Sequence, residues 1–292
     1  MKLLLIRHGD PNYDIDSLTE KGWKEAALLA ERMAKLKIRT FYVSPLGRAK
    51  DTASLTLQKM GRDAIELPWL REFHAPIPDF HTGAPRIPWD QLPQDWTVEP
   101  KYYDCVQWSE TLPMLQGHVQ AEAKRVWDGI DGILADYGYV REGNTYRVTA
   151  PNEDTIAIFC HFGVTCVMLG HLLGISPMIL WHNFCAAPTS VTSLITEERR
   201  KGIACFRMNA FGDTAHLYAN GEPPAFAARF CETYDNSEQR HDSHGGQKAV
   251  RLSFFPFPHF FGRFHVFSLH IGLQRGIIGR AASYVLAAHT GS

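Results

Sequence analysis

Long apolar runs are missing from this chain of 292 residues. No stretch approaches the roughly 18 consecutive apolar residues of a membrane-crossing helix, so no spanning segment and no membrane partner are expected. Between Lys2 and Arg7 stand four apolar residues, too few for the core of a secretory signal, and a first buried strand is the expectation there. A surplus of positive charge is missing too. The 30 Lys and Arg face 31 Asp and Glu, which leaves no basic footprint for nucleic acid. The six cysteines form no CxxC pair and no Cys/His zinc spacing. Free thiols in a reducing cytoplasm are therefore the expectation. A GxxxxGKS phosphate loop is absent. A cysteine-phosphatase loop fails as well, because the sixth position after Cys160 is Cys166 where an arginine is required.

What is present is globular. Hydrophobic residues make up 45% and charged residues 21%, in a length that suits one large or two ordinary domains. The near-neutral charge joins two unlike parts. After Asp242 no acidic residue occurs, while Lys248, Arg251, Arg263, Arg275 and Arg280 remain. Residues 1–242 are expected to form one domain, and residues 243–292 a basic tail outside it. Seven Phe fall between Phe254 and Phe267 with no clean strand or helix period. Two readings stay open for the tail: poor order, or an exposed element for a partner or membrane surface.

Within residues 1–242, short apolar runs alternate with helical patterns. Residues 2–6, 40–43, 64–67 and 155–160 read as strands, with further strands near 190–195 and 204–209 and a hairpin near 138–152. Helices are predicted over about 19–36 with Thr19 as N-cap, from Ser44-Pro45 to Met60, over 114–137, and over 164–173. Gly61 and Gly174 end two of them. The alternation implies an α/β fold: a three-layer α/β/α sandwich with a mostly parallel sheet. Residues 74–113 break the rhythm with seven prolines among Trp89, Trp96 and Trp108. Such a long irregular insertion points to function. Its tryptophans either line an apolar substrate or pack the insertion itself.

In open α/β sheets ligands gather where strands end and helices begin. Arg7-His8-Gly9 ends the first strand, Ser44-Pro45-Leu46-Gly47-Arg48 follows the second, and His161 ends the central one. Two arginines and two histidines at such exits suit a tetrahedral dianion, because guanidinium forks and helix N-termini both donate to phosphate oxygens. An imidazole can also accept a phosphoryl group, and a nearby carboxylic acid then protonates the leaving oxygen. Glu72 is placed for that task, and Glu110 in the insertion is the alternative. His81, His118 and His182 lack such a context and read as structural or surface residues.

These residues resemble a known family. Arg7-His8-Gly9 is similar to the RHG signature of the histidine phosphatase superfamily, also called phosphoglycerate mutase-like. Leu18-Thr19-Glu20-Lys21-Gly22, Ser44 to Ala53, Leu70-Arg71-Glu72 and Phe159-Cys160-His161 follow in the family's order. The resemblance implies a phosphoglycerate mutase-like fold and a phosphohistidine on His8. It implies phosphoryl contacts from Arg7, Arg48 and His161, and acid/base work by Glu72 on a phosphorylated small molecule. It implies neither metal nor other cofactor. Three departures stand out: Asp14 occupies a position where many members carry Asn, with Asn12 nearby; Phe162 precedes Gly163 after the second histidine; and the insertion 74–113 replaces a short segment. The longer run that follows the motif in true mutases is missing, so a phosphatase is favoured. The alternatives are a mutase-like phosphoryl transferase and a non-catalytic phospho-ligand-binding module.

Overall fold

The first strand, Lys2–Arg7 (β1), is buried on both faces, and its alternation sets up the layers. Leu3 and Leu5 enter one hydrophobic cluster, while Leu4 and Ile6 enter another on the opposite side. The computed structural model describes residues 1–226, and the tail 243–292 lies outside the described residues.

The other strands of the main sheet are Thr40–Val43 (β2), Ala64–Glu66 (β3), Tyr139–Glu142 (β4), Thr145–Val148 (β5), Thr155–Cys160 (β6), Val191–Arg200 (β7) and Ile203–Asp213 (β8). Their spatial order is β3-β2-β6-β1-β7-β8-β5-β4. The four strands from β3 to β1 run parallel. From β7 outward the pairing is antiparallel, so the expected parallel sheet holds for the half that carries the strand exits.

Glu20–Met33 (α1) and Gly47–Met60 (α2) cover one face, where Leu29, Met33 and Ala53 pack on Phe41 and Phe159. Val119–Asp136 (α3), Phe162–Leu173 (α4) and Pro177–Asn183 (α5) contribute Val126, Ile130, Val167 and Leu180 to the cluster on the other face. The α/β/α sandwich is complete. Thr19 caps α1 by accepting the Gly22 N–H at 3.0 Å. Gly61 and Gly174 close α2 and α4 in the left-handed region, with φ of 61° and 68°.

Three local expectations change. The helix after Ser44-Pro45 begins at Gly47 with Leu46 at its cap, which leaves the Ser44 hydroxyl for another partner. The helix expected over 114–137 is two: Leu112–Gln116 ends where Gly117 presses on the insertion, and α3 starts after His118 at φ 52°. A Cβ at Gly117 would stand 2.7 Å from the Pro76 carbonyl. The insertion is a packed body of short turns. Trp89, Trp96 and Trp108 are all buried, which assigns them to the core of the insertion.

Candidate active site

Register brings the site together. Arg7 pairs with Cys160, and Phe159 pairs with Val43 in the next parallel strand. The ladder runs one residue further: His8 N–H donates to the Cys160 carbonyl at 3.0 Å, and Ser44 N–H to the Phe159 carbonyl at 2.9 Å. His8, Ser44 and His161 therefore leave three adjacent strands at one sheet edge.

His8 and His161 stand side by side, ring centroids 5.1 Å apart. Both are buried. Burial, then the charges of Arg48 and Arg7, hold the His8 imidazole well below the usual histidine range. His161 is held down in the same way, by burial and then by Arg48, His8 and Arg7. Both rings are neutral at pH 7. The His8 Nδ1–H donates to the Gly9 carbonyl at 2.8 Å, which leaves the lone pair on Nε2. Ser44 Oγ accepts the Leu46 N–H at 3.2 Å and shares a hydrogen bond of 2.7 Å with His161 Nε2. His161 Nδ1 is a buried atom with no partner among the described residues.

The arginines flank this pair. Arg7 donates to the Ala186 carbonyl and lies 5.8 Å from the centre of the Phe162 ring. The residue that departs from the family pattern is thus a platform for the guanidinium. Arg48, in the first turn of α2, sits 5.4 Å from the Tyr13 ring centre. Its Nε is buried without a partner among the described residues.

Glu72 approaches from the third strand exit. Its Oε1 accepts the N–H groups of Phe73 (2.7 Å) and Val164 (3.0 Å), and Oε2 accepts that of Gly163 (3.2 Å). The carboxyl thus caps the N-terminus of α4, in a turn that begins with His161. Burial pushes its pKa up, against the pull of the Phe73 N–H, Arg48 and the two helical N–H groups. A Cβ at Gly163 would fall 2.8 Å from Glu72 Oε1, so a larger residue there would displace the carboxylate that caps α4. Glu110 is exposed on the insertion and makes no such contact with α4.

The matching family model settles the relationship: the histidine phosphatase superfamily (branch 1) covers residues 3–209. The chain belongs to this superfamily. A curated 2,3-bisphosphoglycerate-dependent phosphoglycerate mutase from Thermoplasma acidophilum is 32% identical over 72 residues, 21% of this chain and 36% of that protein. The chain thus matches well under half the length of its curated relatives. Two solved structures are similar in fold. The phosphoserine phosphatase of Entamoeba histolytica is 20% identical, with a TM-score of 0.48 over 74% of this chain and 98% of that one. The α-ribazole phosphatase of Shigella flexneri is 23% identical, with a TM-score of 0.47 over 73% and 97%.

In this member of the superfamily the strand-exit residues His8, Arg7, Arg48, His161 and Glu72 lie close together. Other positions around them carry no local signal. Asp16, at φ 49°, accepts from Arg48 Nη1 at 2.5 Å and from the Gly47 N–H at 2.7 Å. Thr189, at φ 59°, donates its N–H to the His8 carbonyl at 3.1 Å. Asn12 Oδ1 accepts the Asp14 N–H at 3.2 Å, which makes it part of a local turn. His81 pairs with Asp95, His118 occupies the break before α3, and His182 stacks on Trp96 at 4.9 Å. Among the described residues no three His, Cys, Asp or Glu side chains are grouped to hold a metal ion, and no helix is long and apolar enough to cross a membrane.

Proposed function

We propose that the chain is a phosphomonoester hydrolase that works through a phosphohistidine on His8. The observation that carries this reading is the neutral His8 ring with its lone pair on Nε2, set beside His161 between two arginines. A neutral imidazole is the nucleophilic form, and its depressed pKa keeps it neutral across physiological pH. Arg7, Arg48 and His161 hold the non-bridging phosphoryl oxygens and offset the charge that builds there.

The steps balance as follows. His8 Nε2 attacks phosphorus, the bond to the alcohol oxygen breaks, and Glu72 gives that oxygen its proton. Oε2 carries one hydrogen bond where Oε1 carries two, which makes it the oxygen with room for the proton. Glu72, now a carboxylate, takes a proton from water as the water oxygen attacks phosphorus. The N–P bond breaks, inorganic phosphate leaves, and His8 regains its lone pair.

Every group in this scheme lies between Arg7 and Val164. We accordingly propose residues 1–242 as the catalytic domain, and a chain ended after about Asp242 is expected to keep hydrolysis. The test of the function is a panel of phosphomonoesters given to the wild type and to His8→Ala. Turnover is expected to fall by about a thousandfold or more in the variant. Equal rates would exclude His8 as the nucleophile. A mutase-like transferase draws support from the name of the Thermoplasma relative. With 3-phosphoglycerate as substrate, isomerisation to 2-phosphoglycerate faster than phosphate release would favour it.

A further inference from the structure

The hairpin that follows His8 brings one more group to the arginines. Pro11–Asn12 pairs with Ser17–Leu18, and residues 13–16 turn between them. This turn is pinned to α2. The Asp16 carboxylate holds Arg48 and the Gly47 N–H, and Ser17 Oγ donates to Asp51. Asp14 and Ile15 are exposed at the tip, while Asn12 accepts within the turn. Tyr13 leans back over the site. It is half-buried, with its ring centre 5.4 Å from the guanidinium carbon of Arg48.

The phenol end reaches the groups on both sides. Among the ionisable side chains around Arg7, Tyr13 acts on it most, ahead of Glu72 and Arg48. Arg7, Arg48 and Glu72 act on the phenol in return. These are the residues that surround the two imidazoles, so the hydroxyl belongs to the same site. It makes no hydrogen bond among the described residues. Arg48 Nη1 goes to Asp16 instead, and Arg7 Nη1 to the Ala186 carbonyl. Burial pushes the phenol pKa up against the pull of the two arginines, so the proton stays on at pH 7.

Resting on the hydrolase reading above, we propose that the Tyr13 hydroxyl donates to a non-bridging oxygen of the phosphoryl group. A neutral O–H adds a donor between two guanidiniums without adding a third positive charge. Held by a pinned turn, it is aimed in advance where negative charge builds, which is what makes such a donor effective. One side chain then has two tasks: its ring packs on Arg48, and its oxygen binds the phosphoryl group.

Calorimetric titration of the full chain with inorganic phosphate separates these tasks. Tyr13→Phe keeps the ring and is expected to bind phosphate about tenfold more weakly than wild type at an unchanged melting temperature, the effect of one hydrogen bond to a charged group. Tyr13→Leu, which also uncovers Arg48, is expected to lose more. Equal affinity in Tyr13→Phe and wild type would overturn the proposal, and so would a wild type that binds no phosphate. A second measurement needs no variant. Phosphate, exchanged for chloride at equal ionic strength, is expected to slow nitration of Tyr13 by tetranitromethane, with the 88% exposed Tyr218 as the reference in peptide mass spectrometry. Nitration of Tyr13 at the same rate with and without phosphate would also overturn it. Neither measurement involves turnover, so a chain that hydrolyses no ester sinks the hydrolase reading separately and leaves this comparison in force.

Discussion

Asp16 and Arg48 meet at 2.5 Å, Oδ1 to Nη1, and the other oxygen of the same carboxylate takes the Gly47 N–H at 2.7 Å. One side chain thus sets both the arginine and the first turn of the helix that carries it. The two segments interlock: a Cβ on Gly47 would stand 2.0 Å from the Asp16 carbonyl oxygen. Removing the carboxylate frees Arg48 to swing and loosens the start of α2. We expect Asp16→Ala to weaken inorganic phosphate binding by about tenfold, read by calorimetry, because a fork of donors binds well only when it is held in place. Tighter binding in the variant would mean that Asp16 merely competes with phosphate for Arg48.

The opposite pKa shifts of His8 and Glu72 predict an acid-displaced pH profile. His8 is depressed, so its neutral form persists well below pH 6.5 and the acid limb lies there. Glu72 is raised above 4.5 by burial, so its protonated form survives beyond the usual carboxylate range and is lost as pH climbs through the raised value. Hydrolysis of an alkyl phosphate, whose leaving oxygen needs the proton, should therefore fall on the alkaline side. Glu72→Ala is expected to lose about 10²- to 10⁴-fold on alkyl phosphates and far less on p-nitrophenyl phosphate, whose leaving group needs no acid. Equal losses on both esters would remove Glu72 from that role, and Glu110→Ala should leave both unchanged.

A third prediction concerns stability. Glu25 is fully buried in α1, with Oε1 accepting the Ala225 N–H at 2.7 Å and Oε2 without a partner among the described residues. Burial raises its pKa from 4.5 to about 6, while Lys21 at 3.9 Å compensates weakly. A raised carboxylate destabilises the fold when charged. The penalty is present above pH about 6, shrinks as pH falls, and is gone below the unfolded value of 4.5. Its size is at most about 2 kcal/mol. Glu25→Gln keeps an acceptor for Ala225 and is expected to be more stable than wild type at pH 7.5, by urea unfolding, with the gain fading toward pH 4.5. A less stable variant at pH 7.5 would show that the charge is needed where it is.

How far these features are legible in sequence depends on how local their cause is. Thr19, Gly61 and Gly174 announce helix ends through their own chemistry, and each stands where expected. The strand exits at Arg7-His8 and His161 are readable because apolar strands stop abruptly at charged or titratable residues. Ser44 misleads for a reason: Ser-Pro spells a helix start, yet the hydroxyl is taken by His161, 117 positions away. The break at Gly117 and His118 is hidden because helical periodicity runs through it, and contact with Pro76 imposes it. Asp16 resembles any turn aspartate until α2 folds against it. The antiparallel half of the sheet is legible only in its hairpins, since the pairings of β7 with β1 and of β8 with β5 join strands that lie far apart in sequence.

The central claim is a covalent phosphoryl group on His8. Mixing the full chain with a substrate in excess, quenching within the first turnovers in alkali, and sequencing the peptides by mass spectrometry tests it most directly. The expected result is one phosphoryl group on His8, labile to acid, absent from His8→Ala and persistent in Glu72→Ala. Turnover with no phosphoryl adduct at His8 in Glu72→Ala, or an adduct at another residue that survives His8→Ala, would contradict the account.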